Sequence, residues 1–329
     1  MKAIVIHRYG GPEVLSLEEV PDPEPGRGEA LVELDYAGVN FTDIYARSGI
    51  YRHSHTYRNR PPFVPGMEGA GTVREVGAEV SNVAPGDRVA WCLSPGAYAA
   101  RAVVPAWRLV RVPAGMDLRM ATALMLQGCT AHYLTRSLFR LGAGHTCLVH
   151  AGAGGVGQLL IQLARLAGAR VITTVGSREK AEIVRGLGAD HVVLYREQPF
   201  TEAVLEITGG RGVDVVYDGV GKATFEGSLR SLARRGTLAL FGGASGAVES
   251  VTPLDLAEAG SIFLTRPHMA DYMCDADEVS WRAGEMLDLA ASGGLALRID
   301  RELPLAEAAA AHRVMESRGT TGKLVLALG

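Results

Sequence analysis

The sequence predicts an α/β protein with two domains, one made of short β-strands and one built around a doubly wound parallel sheet. The chain has 329 residues, which exceeds the usual length of one domain. Residues 1 to about 120 hold short β-rich runs that Gly and Pro separate. From there to about residue 265, short apolar runs alternate with helical patterns, as in a parallel sheet covered by helices on both faces.

The first region favours a barrel-like or sandwich arrangement, because its strand-like runs follow one another without intervening helical patterns. Turn-rich segments such as PDPEPGRG and VAPGDRV separate these runs. The predicted strands are residues 2–6, 30–36, 71–76, 88–91 and 102–104.

The central region repeats the order of a strand and then a helix. CLVHA is followed by GQLLIQLARLAG, and VITTV is followed by SREKAEIVRGLG. Further apolar runs are HVVLY, VDVVYDGV, TLALFGG and SIFLTRP. After about residue 266 come helical patterns near 278–292 and 305–318 and a final predicted strand, GKLVLAL.

Composition narrows the possible partners and the compartment. The net charge of −3 and the pI of about 6.3 give no overall attraction to nucleic acid or to an anionic membrane. Four well-separated cysteines without a C-x-x-C pair fit a reduced compartment and argue against disulfides and a cysteine-type zinc site. The N-terminus lacks the apolar core of a signal peptide, and no 18-residue uncharged apolar run occurs. We therefore expect a soluble cytoplasmic protein. Lysine is scarce and occurs only at positions 2, 180, 222 and 323.

The stretch GAGGVG at residues 152–157 predicts a dinucleotide site. It follows a predicted strand at 147–150 and opens an amphipathic helix at 158–166. In such a segment the first glycine makes the tight turn, the second admits the pyrophosphate, and the third lets the helix pack on the strand. Unpaired N–H groups of the helix then face the phosphates. A plain structural turn is the alternative that the motif by itself leaves open.

The end of the next predicted strand, residues 171–175, favours NADP over NAD. NAD sites usually carry an Asp or Glu there, which binds the ribose 2′-hydroxyl. Here Gly176 is followed by Ser177, Arg178 and, after Glu179, by Lys180. A hydroxyl and two cations suit a 2′-phosphate, which carries about two negative charges. The alternative is that Arg178 and Lys180 are solvated residues in the first turn of a helix.

Several segments together resemble the quinone oxidoreductases related to zeta-crystallin, within the medium-chain dehydrogenases/reductases. AGAGGVG carries the A-x-x-G-x-x-G form of the cofactor motif. The other matching segments are NFTDIY at 40–45, RSGIY at 47–51, QGCTAHYL at 127–134, YDGVG at 217–221, FG at 241–242, LTRP at 264–267 and ESR at 316–318. The resemblance spans essentially the whole chain, in order.

This resemblance implies a GroES-like β-barrel domain of residues 1–121 and 266–329, interrupted by a Rossmann NADP-binding domain of residues 122–265. It implies an active site in the cleft between the domains, where small ligands commonly bind. It also implies a homodimer, with a tetramer as the alternative, and the short apolar run at 261–265 is the kind of edge strand that pairs across a two-fold axis.

The resemblance also implies the site residues. Asn40 and Tyr45 are expected near the nicotinamide, with Tyr45 and Tyr51 lining the quinone pocket and Asn40 grouped with them as catalytic. The remaining expected cofactor contacts are Thr130, then Gly154, Gly155 and Val156 at the pyrophosphate, Gly176, Ser177, Arg178 and Lys180 at the 2′-phosphate, Tyr195 near the adenosine, Phe241, Gly242, Ser245, Leu264 and Thr265 on the nicotinamide ribose side, and Arg318 from the C-terminal segment.

The chain departs from its zinc-dependent relatives. They use a Cys just before a T-D pair and a G-H-E triplet, whereas this chain has NFTD at 40–43 and GMEG at 66–69. Methionine is a poor zinc ligand beside thiolate or imidazole, so the sequence predicts no metal. A second departure is the segment RHSHTYRNRPPFVP at 52–65, which is longer than the family pattern. A loop that selects an anionic or bulky acceptor and a plain surface loop are both open.

The predicted function is an NADPH:quinone oxidoreductase in which NADPH gives hydride to a quinone, an acceptor that needs little Lewis-acid help. Tyr45 and Tyr51 would hydrogen-bond the quinone oxygens. One alternative is an NADPH-dependent enoyl or alkenal double-bond reductase. Another is a structural or RNA-binding role of the zeta-crystallin type, against which the net charge of −3 argues.

Overall fold

The computed structural model describes residues 1–54, 56–57, 59–317 and 319–328, which form two compact units. The first unit comprises Met1–Cys129 and Tyr272–Gly329, and the second comprises Thr130–Asp271. These divisions lie a few residues after the predicted bounds at 121/122 and 265/266. Near residue 120 the sequence pattern changes from β-rich runs to alternating strand-like and helical runs. This change marks the start of a helix, Leu118–Tyr133, and most of that helix belongs to the first unit.

The strands and helices are numbered in chain order. The strands are β1 (Lys2–Val5), β2 (Ser16–Glu19), β3 (Glu29–Val39), β4 (Glu68–Val76), β5 (Arg88–Cys92), β6 (Arg101–Pro105), β7 (Val110–Arg111), β8 (Thr146–Val149), β9 (Arg170–Val175), β10 (His191–Leu194), β11 (Val213–Asp218), β12 (Leu232–Leu240), β13 (Phe263–Thr265), β14 (Ile299–Pro304) and β15 (Lys323–Ala327). The α-helices are α1 (Phe41–Ser48), α2 (Leu118–Tyr133), α3 (Gly155–Leu166), α4 (Arg178–Gly186), α5 (Phe200–Ile207), α6 (Phe225–Arg230), α7 (Pro253–Glu258), α8 (Ala276–Ala291) and α9 (Ala308–Glu316). None of the helices in the described ranges combines the length and the apolar character needed to cross a bilayer.

A largely antiparallel sheet forms the frame of the first unit. Its strand order is β14-β15-β3-β4-β5-β7, β6 pairs with β3, and β1 pairs with β2 outside it. All five strands predicted for this region coincide with or overlap observed ones. The final predicted strand is also observed, as β15, which lies antiparallel beside β3 with Leu324 opposite Val39. The C-terminal segment therefore belongs to the same sheet as the N-terminal region.

The core of the first unit lies on one face of this sheet. Alternating residues of β3, such as Val32 and Leu34, are buried there with Trp91 of β5 and Leu324 of β15. Helix α9 buries Ala308, Ala311 and Met315 against the same cluster. Their spacing of three and four residues places them on one face of the helix, which explains why this short segment docks as a helix.

The second unit is the predicted doubly wound parallel sheet. The order of its strands is β10-β9-β8-β11-β12-β13, and every neighbouring pair is parallel. The chain therefore runs outward from β8 in one direction through β9 and β10, and then restarts on the other side at β11. Ligands of such sheets bind outside the carboxyl ends of the strands at this reversal, beside β8.

Candidate active site

The glycine-rich turn after β8 leaves room for a ligand at the N-terminus of α3. A Cβ on Gly157 would lie 2.5 Å from the carbonyl oxygen of Ala151 and 2.7 Å from Cα of Gly152, so only glycine fits there. Gly154 is the N-cap residue, and α3 begins at Gly155, earlier than the predicted start at 158. The backbone N–H groups of this first turn lie at the carboxyl edge of the sheet, and no side chain caps them.

The residues expected at a 2′-phosphate follow β9. Ser177 is the N-cap residue of α4, and its hydroxyl accepts the N–H of Lys180 at 3.3 Å. Arg178 is exposed and forms an ion pair with Glu197 at 3.3 Å. A Cβ on Gly176 would lie 2.7 Å from the Tyr195 hydroxyl oxygen, so an acidic side chain at 176 would have to displace that tyrosine. The local packing thus agrees with the absence of the acid that NAD sites use.

A buried carboxylate organises the turn after β11. One oxygen of Asp218 accepts the N–H groups of Val220 and Gly221 at 2.8 and 3.0 Å. The other oxygen accepts the hydroxyls of Thr224 and Ser228 at 2.7 and 2.8 Å. Asp218 is fully buried, and these four hydrogen bonds satisfy a charge that would otherwise be costly to bury.

His150 connects this carboxylate to the neighbouring strands. Its Nε2 lies 3.0 Å from the Ser228 hydroxyl, and its Nδ1 lies 2.9 Å from the Thr174 hydroxyl near the end of β9. Burial lowers the pKa of His150, which keeps the imidazole neutral at neutral pH. The ends of β8, β9 and β11 are thereby tied together. The sequence alone does not indicate these contacts of His150 and Asp218, because several of their partners are distant in the chain.

The remaining expected residues of the second unit lie in α2, in the loop after β12 and at the ends of β12 and β13. Thr130 is buried, and its hydroxyl lies 3.5 Å from the Met269 sulfur. Ser245 accepts the N–H of Ala223 and donates to the carbonyl of Val220, which binds its loop to the turn after β11. The others in this group are Phe241 and Gly242 directly after β12 and Leu264 and Thr265 at the end of β13.

A charged cluster of three residues is buried in the first unit. We name Asn40, Glu68 and Lys323 the Lys323 cluster; Glu68 and Lys323 are fully buried and Asn40 is 3% exposed. The Lys323 ammonium donates to Glu68 Oε1 and, at 2.7 Å, to Asn40 Oδ1. The Asn40 amide donates to Glu68 Oε1 at 2.7 Å, and Glu68 Oε2 accepts the N–H of Leu126 in α2 at 2.6 Å.

Strand register brings the cluster together. Leu324 of β15 lies opposite Val39 of β3, so Lys323 and Asn40 adjoin at the same edge. Gly38 provides the space for the Glu68 carboxylate, because a Cβ at position 38 would lie 1.9 Å from Glu68 Oε1. Asn40 then ends the strand and begins α1. From the sequence alone, Lys323 is only one of four lysines, and no motif around it indicates a role.

A second set of buried polar groups contacts α1. Asp43 accepts the N–H of Asn40 at 2.9 Å and the Tyr98 hydroxyl at 3.3 Å. Tyr98 also contacts His312 Nε2 at 3.1 Å, and His312 Nδ1 lies 3.2 Å from Arg47. Burial raises the pKa of Asp43 to about 7 and lowers the pKa of His312 to about 3. Asp43 therefore holds the start of α1 through the N–H of Asn40.

The two tyrosines expected at the acceptor pocket lie in a row with a third. The Tyr45 and Tyr51 rings meet edge to face at 5.6 Å, and the Tyr51 and Tyr57 rings stack at 4.8 Å. Tyr57 belongs to the long segment 52–65 and was not singled out in the sequence. His55 and Arg58 of that segment, and the expected cofactor residue Arg318, lie outside the described residues.

Comparison with known proteins identifies relatives along the whole chain. The family model for an alcohol dehydrogenase GroES-like domain matches residues 26–114, and that for a zinc-binding dehydrogenase matches residues 155–287. A 2-haloacrylate reductase from Burkholderia is 43% identical over 328 residues and 98% of each chain. A quinone oxidoreductase from Pseudomonas aeruginosa is 41% identical over 99% of each chain. The crystal structure of Escherichia coli quinone oxidoreductase complexed with NADPH superimposes with a TM-score of 0.96 at 38% identity, over 100% of each chain.

The residues around Glu68 do not fit a zinc ion, although the second family model has zinc in its description. An ammonium group already pairs with the Glu68 carboxylate, and Met67 and Asn40 supply a thioether and an amide where zinc prefers imidazole or thiolate. Across the ranges that the structure describes, no three His, Cys, Asp or Glu side chains are grouped to hold a metal ion. We therefore derive no chemical step through a metal.

Proposed function

This chain belongs to the quinone oxidoreductase family of the medium-chain dehydrogenases/reductases, and we propose that it is an NADPH-dependent quinone reductase. The observation that carries the proposal is the carboxyl edge of the parallel sheet. There the turn before α3, whose N–H groups no side chain caps, and the Ser177–Arg178–Lys180 group after β9 offer separate places for a pyrophosphate and a 2′-phosphate. The Escherichia coli relative crystallised with NADPH supports the same cofactor.

Arg178 can exchange its weak ion pair with Glu197 for a stronger contact with a 2′-phosphate. The Arg178–Glu197 pair is solvent-exposed, with side chains 84% and 52% exposed, so breaking it costs little free energy. A guanidinium that turns to a phosphate gains a doubly charged partner and two parallel hydrogen bonds. NADH lacks this phosphate, so we propose that Arg178 and Lys180 set the preference for NADPH.

Bound NADPH supplies a hydride from C4 of its nicotinamide to the acceptor. The row of Tyr45, Tyr51 and Tyr57 supports a flat aromatic acceptor, because aromatic rings pack well edge to face and in offset stacks. The hydroxyls of Tyr45 and Tyr51 can donate hydrogen bonds to the quinone oxygens. Solvent can protonate a hydroquinone, so neither tyrosine has to act as an acid. We expect the Tyr45→Phe/Tyr51→Phe variant to raise KM for the quinone a few-fold, with kcat little changed, in steady-state kinetics.

A second candidate activity is the NADPH-dependent reduction of a conjugated carbon–carbon double bond. It is favoured by the 43% identity to a 2-haloacrylate reductase over 98% of both chains. This reaction uses the same hydride donor and differs in the acceptor, so the cofactor edge does not discriminate between the two activities.

We also propose that the protein is a cytoplasmic homodimer. The three buried cysteines and the exposed Cys274 are free thiols, as in proteins of a reducing compartment. Strand β13 lies at the end of the sheet order, and its Phe263 is 64% exposed. An apolar edge strand of this kind is suited to pairing with a second copy. Sedimentation equilibrium of the wild type and of Phe263→Lys tests this, and a monomeric wild type would contradict it.

One kinetic experiment tests the activity. NADPH and NADH are each offered with a quinone and with 2-chloroacrylate, and oxidation of the cofactor is followed by its absorbance. We expect rapid turnover with NADPH and quinone and much slower turnover with NADH. Turnover of 2-chloroacrylate alone would support the second candidate instead. Equal rates with both cofactors would overturn the roles given to Arg178 and Lys180, and no turnover at all would leave a binding role.

A further inference from the structure

The Lys323 cluster joins the most deeply buried opposite charges of the first unit to a predicted cofactor residue. Both members of the Lys323–Glu68 ion pair are fully buried. Isolated buried charges are very unfavourable, so each requires the other. Asn40 lies between them and contacts both, at 2.7 Å in each case.

The chemistry of these partners fixes the orientation of the Asn40 amide. An ammonium group can only donate hydrogen bonds, and a carboxylate can only accept them. The Asn40 oxygen must therefore face Lys323, and its nitrogen must face Glu68. Rotating the amide by 180° would set its N–H₂ against the ammonium and its oxygen against the carboxylate, so the two charges reject the flipped form.

We propose that Lys323 is a positioning residue for hydride transfer, which acts by holding the Asn40 amide in a single orientation. The ammonium group takes the place of a metal ion as the cation next to Glu68, and it is fully buried. Its effect passes through Asn40, the residue expected beside the nicotinamide. This inference rests on the proposed function, since it requires the NADPH-dependent reaction to exist.

A purely structural role of Lys323 makes a different prediction from a positioning role. If Lys323 served only to neutralise Glu68, then removing both charges together would restore both the stability and the activity of the wild type. If it orients Asn40, the neutral variant Lys323→Met/Glu68→Gln regains stability, because a neutral buried pair is tolerated, yet stays slow. Methionine has about the same length as lysine and cannot donate a hydrogen bond to Asn40.

The test compares that double variant with the wild type and with a matched surface control. The control is Lys222→Met/Glu249→Gln, which makes the same two changes in an exposed ion pair at 3.1 Å. For each protein we measure kcat with NADPH and quinone, the Kd for NADPH by fluorescence, and the urea midpoint of unfolding. We expect the buried double variant to lose about 10- to 100-fold in kcat, with the Kd for NADPH within about two-fold of wild type. The control should match the wild type in all three quantities.

Two further variants keep the inference testable if the first folds poorly. Lys323→Gln/Glu68→Gln retains a donor toward Asn40 and should recover part of kcat. In an Asn40→Ala/Glu68→Gln background, Lys323→Met should cause little further loss, because the group that it positions is already gone. A crystal structure of the cofactor-free Lys323→Met/Glu68→Gln variant should show the Asn40 side chain in a new position or in two alternative conformations.

Wild-type kcat in a folded Lys323→Met/Glu68→Gln variant would overturn the inference. The inference would also be overturned if Lys323→Met lowered kcat as much in the Asn40→Ala/Glu68→Gln background as it does when Asn40 is present. An inactive wild type would instead refute the proposed function, so the two failures are separable.

Discussion

Two ion pairs of this protein share one chemistry and differ in burial. Arg178 and Glu197 in the second unit are mostly exposed, whereas Lys323 and Glu68 in the first unit are entirely buried. Water screens the first pair, so its contribution to stability is small and its arginine can change partners. The second pair has no water to replace a lost partner, so it is fixed. The difference suggests that exposure suits a group that must capture a ligand, while burial suits a group that must hold its neighbour still.

The two regions differ equally in how their residues are spaced along the chain. The turn that we propose for the cofactor lies within residues 152–157, and the residues that we propose for its 2′-phosphate lie within 176–180. Asn40 and Lys323 are 283 residues apart and meet only through strand pairing.

The largest effect is expected from leaving a buried charge without its partner. Lys323→Met should lower the free energy of unfolding by about 3–5 kcal/mol, because the Glu68 carboxylate stays buried and unpaired. Arg178→Ala should change it by less than about 1 kcal/mol. Urea unfolding of the two variants measures both values. If both lose the same amount, burial does not distinguish the pairs.

The next effect tests the space that Gly38 provides for Glu68. Gly38→Ala places a methyl group within 1.9 Å of a carboxylate oxygen that Lys323, Asn40 and Leu126 hold in place. We expect a loss of about 1–3 kcal/mol in unfolding free energy. Gly142→Ala is the control, since a Cβ there meets no atom within 4 Å. A harmless Gly38→Ala would mean that the carboxylate can move, contrary to the fixed cluster.

On the exposed side, Arg178→Ala/Lys180→Ala should weaken NADPH binding about 10- to 100-fold, through the loss of charge-assisted hydrogen bonds. Binding of NADH should be unchanged, because it has no 2′-phosphate. Arg185→Ala is the matched control, an exposed arginine of the same helix that pairs with Glu182. Isothermal titration calorimetry of the wild type and both variants with each cofactor gives the six constants needed, and an equal loss for NADH would contradict the assignment.

The smallest effect concerns the buried groups beneath α1. Asp43 has a pKa raised to about 7, so it contributes stability at low pH that is lost as the pH rises from about 4 to 7. His312 has a pKa lowered to about 3, so its contribution is present above about pH 6.5 and is lost as the pH falls toward 3. Between about pH 4 and 6.5 the two slopes oppose each other.

Removing either group should therefore tilt the pH dependence in a predictable direction. Compared with wild type, the unfolding free energy of Asp43→Asn should rise more steeply with pH in this window, by up to about 1.4 kcal/mol per pH unit. His312→Gln should tilt it the other way. Tyr98, Arg47 and Glu316 face these groups in both variants and serve as a common background. Urea unfolding at several pH values measures the slopes, and tilts of the same sign would refute the opposed pKa shifts.

Much of the fold and half of the site could be predicted from sequence, for a local reason. A glycine turn before a helix and an N-cap serine with nearby cations are contiguous features, so Gly157 and Ser177 could be placed without coordinates. Repeated strand and helix patterns predicted the parallel sheet in the same way. Short elements such as α1 and β14 were not predicted, because they contain too few residues to show a clear hydrophobic periodicity.

The rest of the site could not be predicted, because its partners meet only in three dimensions. Glu68 was recognisable as a residue kept from the zinc-dependent pattern, but nothing near it in the chain indicated its cation. The scarcity of lysine drew attention to Lys323 without showing what it contacts. The same holds for His150, Asp218 and Tyr57. The role of each depends on contacts with residues of another element or loop.

A buried ammonium, rather than a metal, is the cation beside Glu68 in the NADPH-dependent reductase that we propose. The zinc content of the purified protein and its rate of NADPH oxidation with a quinone are measured before and after dialysis against a chelator. We expect substoichiometric zinc and the same rate throughout, with no gain when zinc is added back. Activity that is lost with the chelator and restored by zinc would contradict it.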